Sequence, residues 1–361
     1  MEIITFTPNE ITAPGMTIGD AFNKAASENI FSDYIDRKAA NTQTRHIKEL
    51  KNFSSFLTEY GYKNNGMTTP QEWKGVTFGI IEGYQRYMLN KGYSVNSTNQ
   101  TLYIIKAYAG LAGKAGYIDY VELAKIKEVK GYKSGEARNI DKERKAQGAD
   151  TRISSKKETA RNLTEDQVKQ LKGNHPDTLK GKRDALIFAL FLDMGLRESE
   201  LVTLTRESFD MDSETLHWYR EKTNNRGHES MSKDVRKAAR AYFAAIDAAN
   251  ITITNKPKET KTGKQSVKST LFVSVNQWGQ VSENGLSVRG IVDIVRTAGK
   301  AIDISNLSPH DLRHSMALRA YLAGIPLKSI QRRLGHSTVK TTERYIDIEA
   351  LDRYNDFDKE F

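Results

Sequence analysis

The sequence predicts a multidomain, mainly helical protein, in which an all-α N-terminal domain precedes a mixed α+β domain. Three observations support this prediction. The chain has 361 residues, whereas single hydrophobic cores tend to stop growing near roughly 250 residues. Apolar residues recur at helical spacing in the first third of the chain. In the second half, helical spacing is interrupted by one segment of strand-like alternation, Thr215–Lys222.

The first domain is placed at residues 17–125, after an N-terminal extension of residues 1–16. Four helical segments with little strand alternation are predicted in it. They start at Thr17, at about Asn41, near Thr77 and after Ser97. Because so few residues precede Thr17, we expect no additional domain before this one.

The chain is basic, with a formal net charge of +10. Such an excess suits either a phosphate backbone or an anionic membrane. No apolar run approaches the roughly 20 residues of a membrane-spanning helix, and no lipidation signature is visible. The sequence therefore favours nucleic acid as the partner and predicts no membrane association.

The chain contains no Cys, and its N-terminus lacks the features of a secretory signal. Both observations indicate a reducing, cytoplasmic location, which for a DNA-binding protein means the nucleoid. Neither a glycine-rich phosphate loop nor a metal-ligand pair at suitable spacing is present. We therefore expect no cofactor and no metal.

Residues 126–160 are predicted to form a basic linker. From Lys125 to Lys157 the sequence has eleven Lys or Arg against five Asp or Glu, and almost no large apolar residue follows Val129. Two interpretations stay open. The segment is either a flexible, solvated tether or a basic strap that follows phosphates and becomes ordered on binding.

The second domain is placed at residues 161–345, with a C-terminal tail of residues 346–361. Local signals predict its elements. They are a capping box at Thr164 and Gln167, a buried helix at Ala185–Leu192 ended by Gly195, a hairpin turn at Asn224, Asn225 and Gly227, a helix at Val235–Ile246, and a polar surface insertion at Asn250–Lys268. The remaining segments are predicted to be mostly helical.

The segment Ser308–His314 carries the clearest chemical pattern. Ser308 is a good N-cap and Pro309 suits the first helical position, so His310 and Arg313 lie one turn apart at a helix start. A helix N-terminus with an imidazole and a guanidinium is typical of a phosphate site.

Other candidates flank this segment. Arg197 follows the predicted end of the buried helix, Lys222 lies near the hairpin turn, and His336 follows Leu334-Gly335. Tyr345 comes nine positions after His336.

Taken in order, GLRESEL, Lys222, HDLRH, LGH and TTERYI resemble the active-site motifs of the tyrosine recombinase, or phage integrase, family. The resemblance implies a SAM-like core-binding domain and a tyrosine recombinase catalytic domain. It implies a site-specific DNA recombinase that forms a 3′-phosphotyrosyl intermediate during integration, excision or resolution of a mobile element. The implied partners are double-stranded DNA with paired half-sites and further copies of the chain, in a tetrameric synapse.

The chemistry assigns a role to each residue. Arg197 and Arg313 clamp the scissile phosphate, and His336 donates a further hydrogen bond to it. Tyr345 is the nucleophile, whose phenolate the surrounding positive charge should favour, with His310 as the proton acceptor or relay. The remaining roles are leaving-group protonation by Lys222, orientation of a cationic or imidazole group by Glu200, and support of the fold by Asp311 and His314.

Ordinary structural interpretations remain open for several of these residues. In these interpretations, Arg197 is a cation that stabilises the C-terminal end of a helix. His310 is a helix-capping residue, and His336 is a surface residue. The role of Lys222 has two competitors on the same hairpin and the segment after it, Arg226 and Lys233.

Alternative functions also remain. They are a type IB topoisomerase, a catalytically silent DNA-binding accessory protein, and an RNA-binding protein. The last is disfavoured because the sequence lacks the aromatic motifs of the common RNA-binding modules. In the tail, Ile348, Leu351 and Tyr354 recur at three-residue intervals. That stripe predicts packing either on its own domain or, in trans, on a neighbouring protomer.

Overall fold

The computed structural model describes residues 17–146, 148, 161–220, 225–253, 255–259, 265–269, 271–276 and 280–346. The chain divides into two compact units, unit 1 with the described residues up to 148 and unit 2 with those from 161 onward. Lys222, Asn224 and the tail beyond Ile346 lie outside the described residues. None of the described helices has the length and apolar character needed to cross a membrane.

In the described residues of unit 1, every regular element is a helix. They are α1 (Ile18–Glu28), α2 (Ile30–Asp36), α3 (Ala40–Glu59), a short 3-10 turn (Pro70–Trp73), α4 (Phe78–Asn90), α5 (Val95–Lys114), α6 (Tyr120–Glu128) and α7 (Ser134–Ala146). The four predicted segments correspond to α1, α3, α4 and α5. The short helices α2 and α6 were not predicted, because one or two turns give too few repeats of the apolar pattern to detect.

Side-chain caps fix the starts of these helices. Thr17 and Asp20 form the capping box of α1, and the Thr77 hydroxyl accepts the Ile80 N–H at the start of α4. The predicted start of α5 is wrong by about one turn. The Ser94 hydroxyl accepts the Ser97 N–H at 3.2 Å, so Ser97 lies inside the first turn and does not precede it.

The core of unit 1 combines aliphatic side chains with a group of aromatic rings in contact. Trp73 is fully buried, and its indole N–H donates to the Met67 carbonyl at 3.2 Å. The Phe53 ring lies 5.6 Å from Trp73, and Phe31 meets Tyr108 edge-on at 4.9 Å. Such contacts stabilise a core beyond the area that the rings bury.

Helix α7 occupies part of the predicted linker. The Arg144 side chain is buried and donates to the carbonyls of Leu89 and Tyr93, at the C-terminal end of α4. A single charge-assisted contact of this kind leaves no apolar periodicity in the sequence, so a docked helix was not predicted here. The tether and strap interpretations stay predictions for the rest of the linker.

Unit 2 combines helices with three small antiparallel sheets. Its helices are α8 (Glu165–Gly173), α9 (Leu179–Ala189), α10 (Glu198–Leu201), α11 (Lys233–Ala248), α12 (Val288–Ala301), α13 (Pro309–Leu322), α14 (Leu327–Leu334) and α15 (Val339–Ile346). Its strands are β1 (Phe209–Asp210), β2 (Thr215–Arg220), β3 (Asn225–Ser230), β4 (Asn255–Glu259), β5 (Gln265–Ser269), β6 (Val273–Val275) and β7 (Val281–Gly285). The sheets are β1-β2-β3, β4-β5 and β6-β7. The predicted fold class, a mainly helical chain with small sheets in its second half, is confirmed.

Local capping signals predicted several boundaries of unit 2 correctly. The Thr164–Gln167 capping box starts α8, and Ser308 caps α13 with Pro309 in its first turn. Helix α9 continues into a π-helical turn, Leu190–Met194, which Gly195 ends in the left-handed conformation at φ 66°. The chain therefore turns sharply just before Arg197.

The predicted hairpin turn is wrong at two positions. Asn225 and Gly227 lie in β3, where Gly227 pairs with Trp218. A Cβ on Gly227 would collide with the Trp218 indole, so this glycine serves packing and not a turn. The prediction that the remaining segments are mostly helical is confirmed by α12 to α15, with the β6-β7 pair as the exception, and the polar insertion contains most of the β4-β5 pair.

Candidate active site

Four parts of unit 2 meet at one buried carboxylate. Glu200, on α10, is 4% exposed. Its Oε1 accepts the Arg197 Nη1–H at 2.7 Å and lies 3.8 Å from the Arg220 Nε at the end of β2, and its Oε2 lies 3.9 Å from the Arg313 Nη1 on α13. We call these four residues the Glu200 cluster.

Local backbone structure places Arg197 in this cluster. The left-handed Gly195 turns the chain, and Arg197 then becomes the N-cap of α10. The Arg197 N–H donates to Glu200 Oε2 at 3.0 Å, so the same carboxylate holds both the backbone and the side chain of Arg197. About a quarter of the Arg197 side chain stays exposed, which leaves it open to a ligand.

Arg313 is buried more deeply than Arg197. Its guanidinium donates to the carbonyls of Gly195 and Leu334, so it joins the π-helical turn to the end of α14. Burial and the neighbouring Arg197 charge lower the pKa of Arg313 to about 10. The group therefore keeps its positive charge at neutral pH.

The Glu200 cluster carries a charge imbalance. In the described part of the chain, Glu200 is the one carboxylate at ion-pair distance from Arg197, Arg220 and Arg313. The cluster thus holds two positive charges in excess, and burying unpaired charge costs free energy. An anion such as a phosphate would offset that cost.

Tyr345, on α15, lies among three imidazoles. The ring centroids of His310, His314 and His336 each lie 5.2 Å from the centroid of the half-buried Tyr345 ring. The Tyr345 hydroxyl makes a long hydrogen bond of 3.4 Å to the His310 carbonyl. We call these four residues the tyrosine cluster.

The position of His336 depends on its neighbours in sequence and in space. It follows Gly335, which ends α14 at φ 63°, and its Nδ1 lies 3.0 Å from the hydroxyl of the fully buried Thr342. Desolvation and the Arg313 and Arg197 charges lower the pKa of His336 to about 4. His336 is therefore neutral at pH 7.

The exposed His310 is shifted in the same direction. Desolvation of its imidazole lowers its pKa, and the Arg313 charge adds to the effect while Asp311 opposes it. Neutral imidazoles can accept a proton, so both histidines are available as bases at neutral pH.

Two opposing effects act on the Tyr345 phenol. Desolvation raises its pKa to about 12, while the charges of Arg313 and Arg197 lower it by less. The surrounding positive charge thus favours the phenolate, as expected, but desolvation, which the sequence does not reveal, outweighs it. Tyr345 is therefore a neutral phenol at pH 7.

The other predicted residues are placed as follows. Lys222 lies outside the described residues. Of its two competitors, Arg226 lies in β3 opposite Tyr219, and Lys233 is the first residue of α11. Asp311 is buried and accepts the Ser308 and Arg161 N–H groups at 2.8 and 3.1 Å.

Sequence reasoning missed Arg220 as a member of the Glu200 cluster, Thr342 as the partner of His336, and the closeness of His314 to Tyr345. A signal for Arg220 existed. Strand β2 alternates, with Leu216, Trp218 and Arg220 all buried. A charged residue in register with two buried apolar ones indicates a specific buried partner.

The described residues contain no group of three or more His, Asp or Glu side chains that could hold a metal ion. The ligand-binding groups of the site are the guanidiniums and imidazoles of its two clusters. Groups of this kind are suited to bind a phosphate ester, and the tyrosine cluster adds the phenol of Tyr345.

The profile of the phage integrase family matches residues 161–351, more than half of the chain. The chain belongs to this family. Tyrosine recombinase XerC of Syntrophus aciditrophicus (strain SB) is 30% identical over 177 residues, which are 48% of this chain and 51% of that protein. Tyrosine recombinase XerD of Listeria monocytogenes is 29% identical over 198 residues, 55% of this chain and 60% of that protein. The chain thus spans about half the length of the curated relatives it matches.

Two solved structures show the same fold. The Tn1549 transposon integrase in complex with transposon right end DNA is 16% identical, covering 91% of this chain and 98% of that chain with a TM-score of 0.54. A lambda integrase dimer bound to a COC′ core site is 14% identical, covering 93% and 83% with a TM-score of 0.53. At these identities the likeness concerns the fold alone.

Proposed function

We propose that this chain is a site-specific DNA recombinase that cleaves and rejoins DNA strands through a 3′-phosphotyrosyl intermediate. The observation that carries the proposal is the position of one phenol, Tyr345, beside an excess of buried positive charge. Family membership supports it. The basic linker and the net charge of +10 are consistent with a DNA substrate.

In the proposed reaction, Arg197 and Arg313 hold the non-bridging oxygens of the scissile phosphate, and His336 donates a hydrogen bond to one of them. The Tyr345 oxygen attacks phosphorus, and the bond to the 5′ oxygen breaks. Because the phenol has a pKa of about 12, its proton must leave during the attack. We assign its uptake or relay to His310.

The departing 5′ oxygen needs a proton, which we assign to Lys222. The covalent intermediate then conserves the energy of the broken phosphodiester. A 5′ hydroxyl from another strand reverses the attack, releases Tyr345 and completes the exchange. The proposed cleavage and rejoining therefore need no nucleotide and no metal ion.

We further propose that the substrate has two half-sites and that four copies of the chain assemble on two such sites. The task would be integration, excision or resolution of a mobile element.

The tail, residues 346–361, is assigned to packing on a neighbouring protomer. A protein truncated after Asp347 should then bind a half-site within a few-fold of the full chain, yet lose cooperative occupancy of the paired site. Normal recombination by the truncated protein would exclude this role of the tail.

The activity is testable without knowledge of the target. The protein is incubated with a random duplex DNA library in EDTA without nucleotide, denatured, and recovered with any attached DNA. We expect recovered strands joined through their 3′ phosphate, whose sequences identify the site. Binding without attached DNA would instead indicate an accessory protein.

The recovered site then separates recombinase from topoisomerase. Two copies placed in one plasmid should give excised or inverted products. Relaxation of supercoils with no such products would indicate a type IB topoisomerase.

A further inference from the structure

We infer that Arg220 is a positioning residue that fixes the end of α14 and thereby the place of His336. The inference rests on the proposed function, since it concerns the same site. Arg220 itself lies on β2, is 7% exposed and is not assigned to the phosphate.

The contacts of Arg220 lead to the residues just before His336. Its Nη2 donates to the Arg333 carbonyl at 2.7 Å and more weakly to the Arg332 carbonyl at 3.4 Å. The next carbonyl, that of Leu334, accepts from Arg313. Two guanidiniums therefore hold the last two carbonyls of α14, those of Arg333 and Leu334, and Arg220 shares the Arg332 carbonyl with the Gly335 N–H.

Gly335 makes this approach possible. A Cβ at this position would lie 2.6 Å from the Arg220 Nη1, and its φ of 63° also disfavours other residues. The glycine thus meets two requirements at once, the left-handed turn and the space for a guanidinium. His336 leaves this turn directly, so its backbone position depends on Arg220.

The location of Arg220 argues against a purely structural role. The other buried side chains of β2, Leu216 and Trp218, are apolar. A buried guanidinium in their row costs desolvation, and the Arg220 Nε has no hydrogen-bond partner among the described residues. An apolar side chain would fill the same space at lower cost, but it could not bind the carbonyls before His336.

A double-mutant cycle tests whether Arg220 acts through His336. We expect Arg220→Met to slow single-turnover adduct formation by about 10- to 100-fold, with half-site binding changed less than about threefold. In the His336→Gln background the same substitution should cost less than about twofold more, because the side chain it positions is already gone. Multiplicative losses would overturn the inference.

Arg319→Met is the matched control. Arg319 also binds a backbone carbonyl, that of Leu192 at 3.3 Å, and a carboxylate, Glu165 at 2.8 Å, but neither contact touches the end of α14. Whatever its effect alone, it should multiply with His336→Gln. Arg220→Lys, which keeps the charge and loses the fork, should fall between wild type and Arg220→Met, and it replaces Arg220→Met if that variant does not fold.

A second measurement does not depend on activity. The Gly335 and His336 amides donate to the Arg332 and Gln331 carbonyls at 3.0 and 3.1 Å. In Arg220→Met their hydrogen exchange should become at least about tenfold faster, while Arg319→Met leaves it unchanged. Unchanged exchange would overturn the inference even if the proposed function holds. Faster exchange would support it even if no DNA adduct forms.

Discussion

The core of unit 1 and the candidate active site of unit 2 bury side chains of opposite kinds to a similar extent. Trp73, at 0% exposure, lies among other aromatic rings, and its one polar group has a partner. Arg313, at 4% exposure, lies beside two further guanidiniums and a single carboxylate. Burial of the apolar rings in unit 1 stabilises the fold, whereas burial of the excess positive charge beside Glu200 costs folding free energy.

The difference separates stability from chemistry. A buried aromatic ring such as that of Trp73 contributes only to packing, so its removal should destabilise the fold and leave the reaction intact. A charge buried beside a like charge is poorly compensated until an anion arrives, so its removal should cost the reaction more than the fold.

The largest effect is expected for Tyr345→Phe. The covalent adduct should disappear, since no other oxygen replaces the phenol. Stability should change by less than about 1 kcal/mol, because the bond of the hydroxyl to the His310 carbonyl is long, at 3.4 Å, and the Arg313 guanidinium keeps its two carbonyl acceptors without the phenol. Denaturing gels measure the adduct, and thermal unfolding measures the stability. An adduct formed by the Phe variant would remove Tyr345 from its role.

The two proposed phosphate clamps should come next. Arg313→Lys and Arg197→Lys keep the charge but lose the planar fork, so adduct formation should slow by about 100- to 1,000-fold. Arg206→Lys is the control. This exposed arginine pairs with Asp247 at 2.6 Å, and neither residue belongs to the Glu200 cluster or the tyrosine cluster. Rates within tenfold of wild type for both clamp variants would contradict the assignment.

Lys222→Ala should slow cleavage of an ordinary phosphodiester by about 100-fold or more. A 5′-bridging sulfur leaves without protonation, so the variant should recover on that substrate to within about tenfold of wild type. Arg226→Ala and Lys233→Ala serve as controls. Recovery by one of them in place of Lys222→Ala would move the role of general acid to that residue.

Trp73→Ala should show the opposite pattern. Loss of this buried ring should destabilise the chain by about 3–5 kcal/mol, measured by denaturant unfolding with a probe in unit 1. Adduct formation by the remaining folded protein should stay within a few-fold of wild type. A selective loss of cleavage with little loss of stability would break the contrast between the two regions.

The smallest effect concerns pH. The folded pKa of His336, about 4, lies below the usual 6.5, so the unfolded chain binds more protons between these values. Stability should therefore be complete above about pH 6.5 and fall as the pH drops toward 4. His336→Gln should reduce this slope in thermal unfolding, and the remainder belongs to groups such as His46 and His310, whose pKa values are also lowered. An identical slope in the variant would place the pH dependence elsewhere.

Local signals made much of the fold predictable. The caps at Thr164 and Ser308 act over three residues, so the sequence contains both partners of each contact. Where two serines compete, as Ser94 and Ser97 do, spacing alone chose the wrong one. Gly227 looked like a turn residue because the sequence predicts the hairpin but not its register, which places Gly227 opposite Trp218.

The site was predictable only in part for a similar reason. The order of the motifs groups Arg197, Arg313, His336 and Tyr345, and the structure brings these four together. Arg220 escaped because its bond to the Arg333 carbonyl spans 113 positions. The raised pKa of Tyr345 escaped because desolvation depends on packing around the ring, while sequence shows only the neighbouring charges.

The central claim is that buried positive charge beside one phenol makes Tyr345 the nucleophile. The most direct test isolates the protein–DNA adduct, digests it with nuclease and trypsin, and locates the modified residue by mass spectrometry. We expect a nucleotide joined through its 3′ phosphate to the peptide Tyr345–Arg353, with the phosphate on Tyr345. A phosphate on any other residue, or a 5′ linkage, would contradict it.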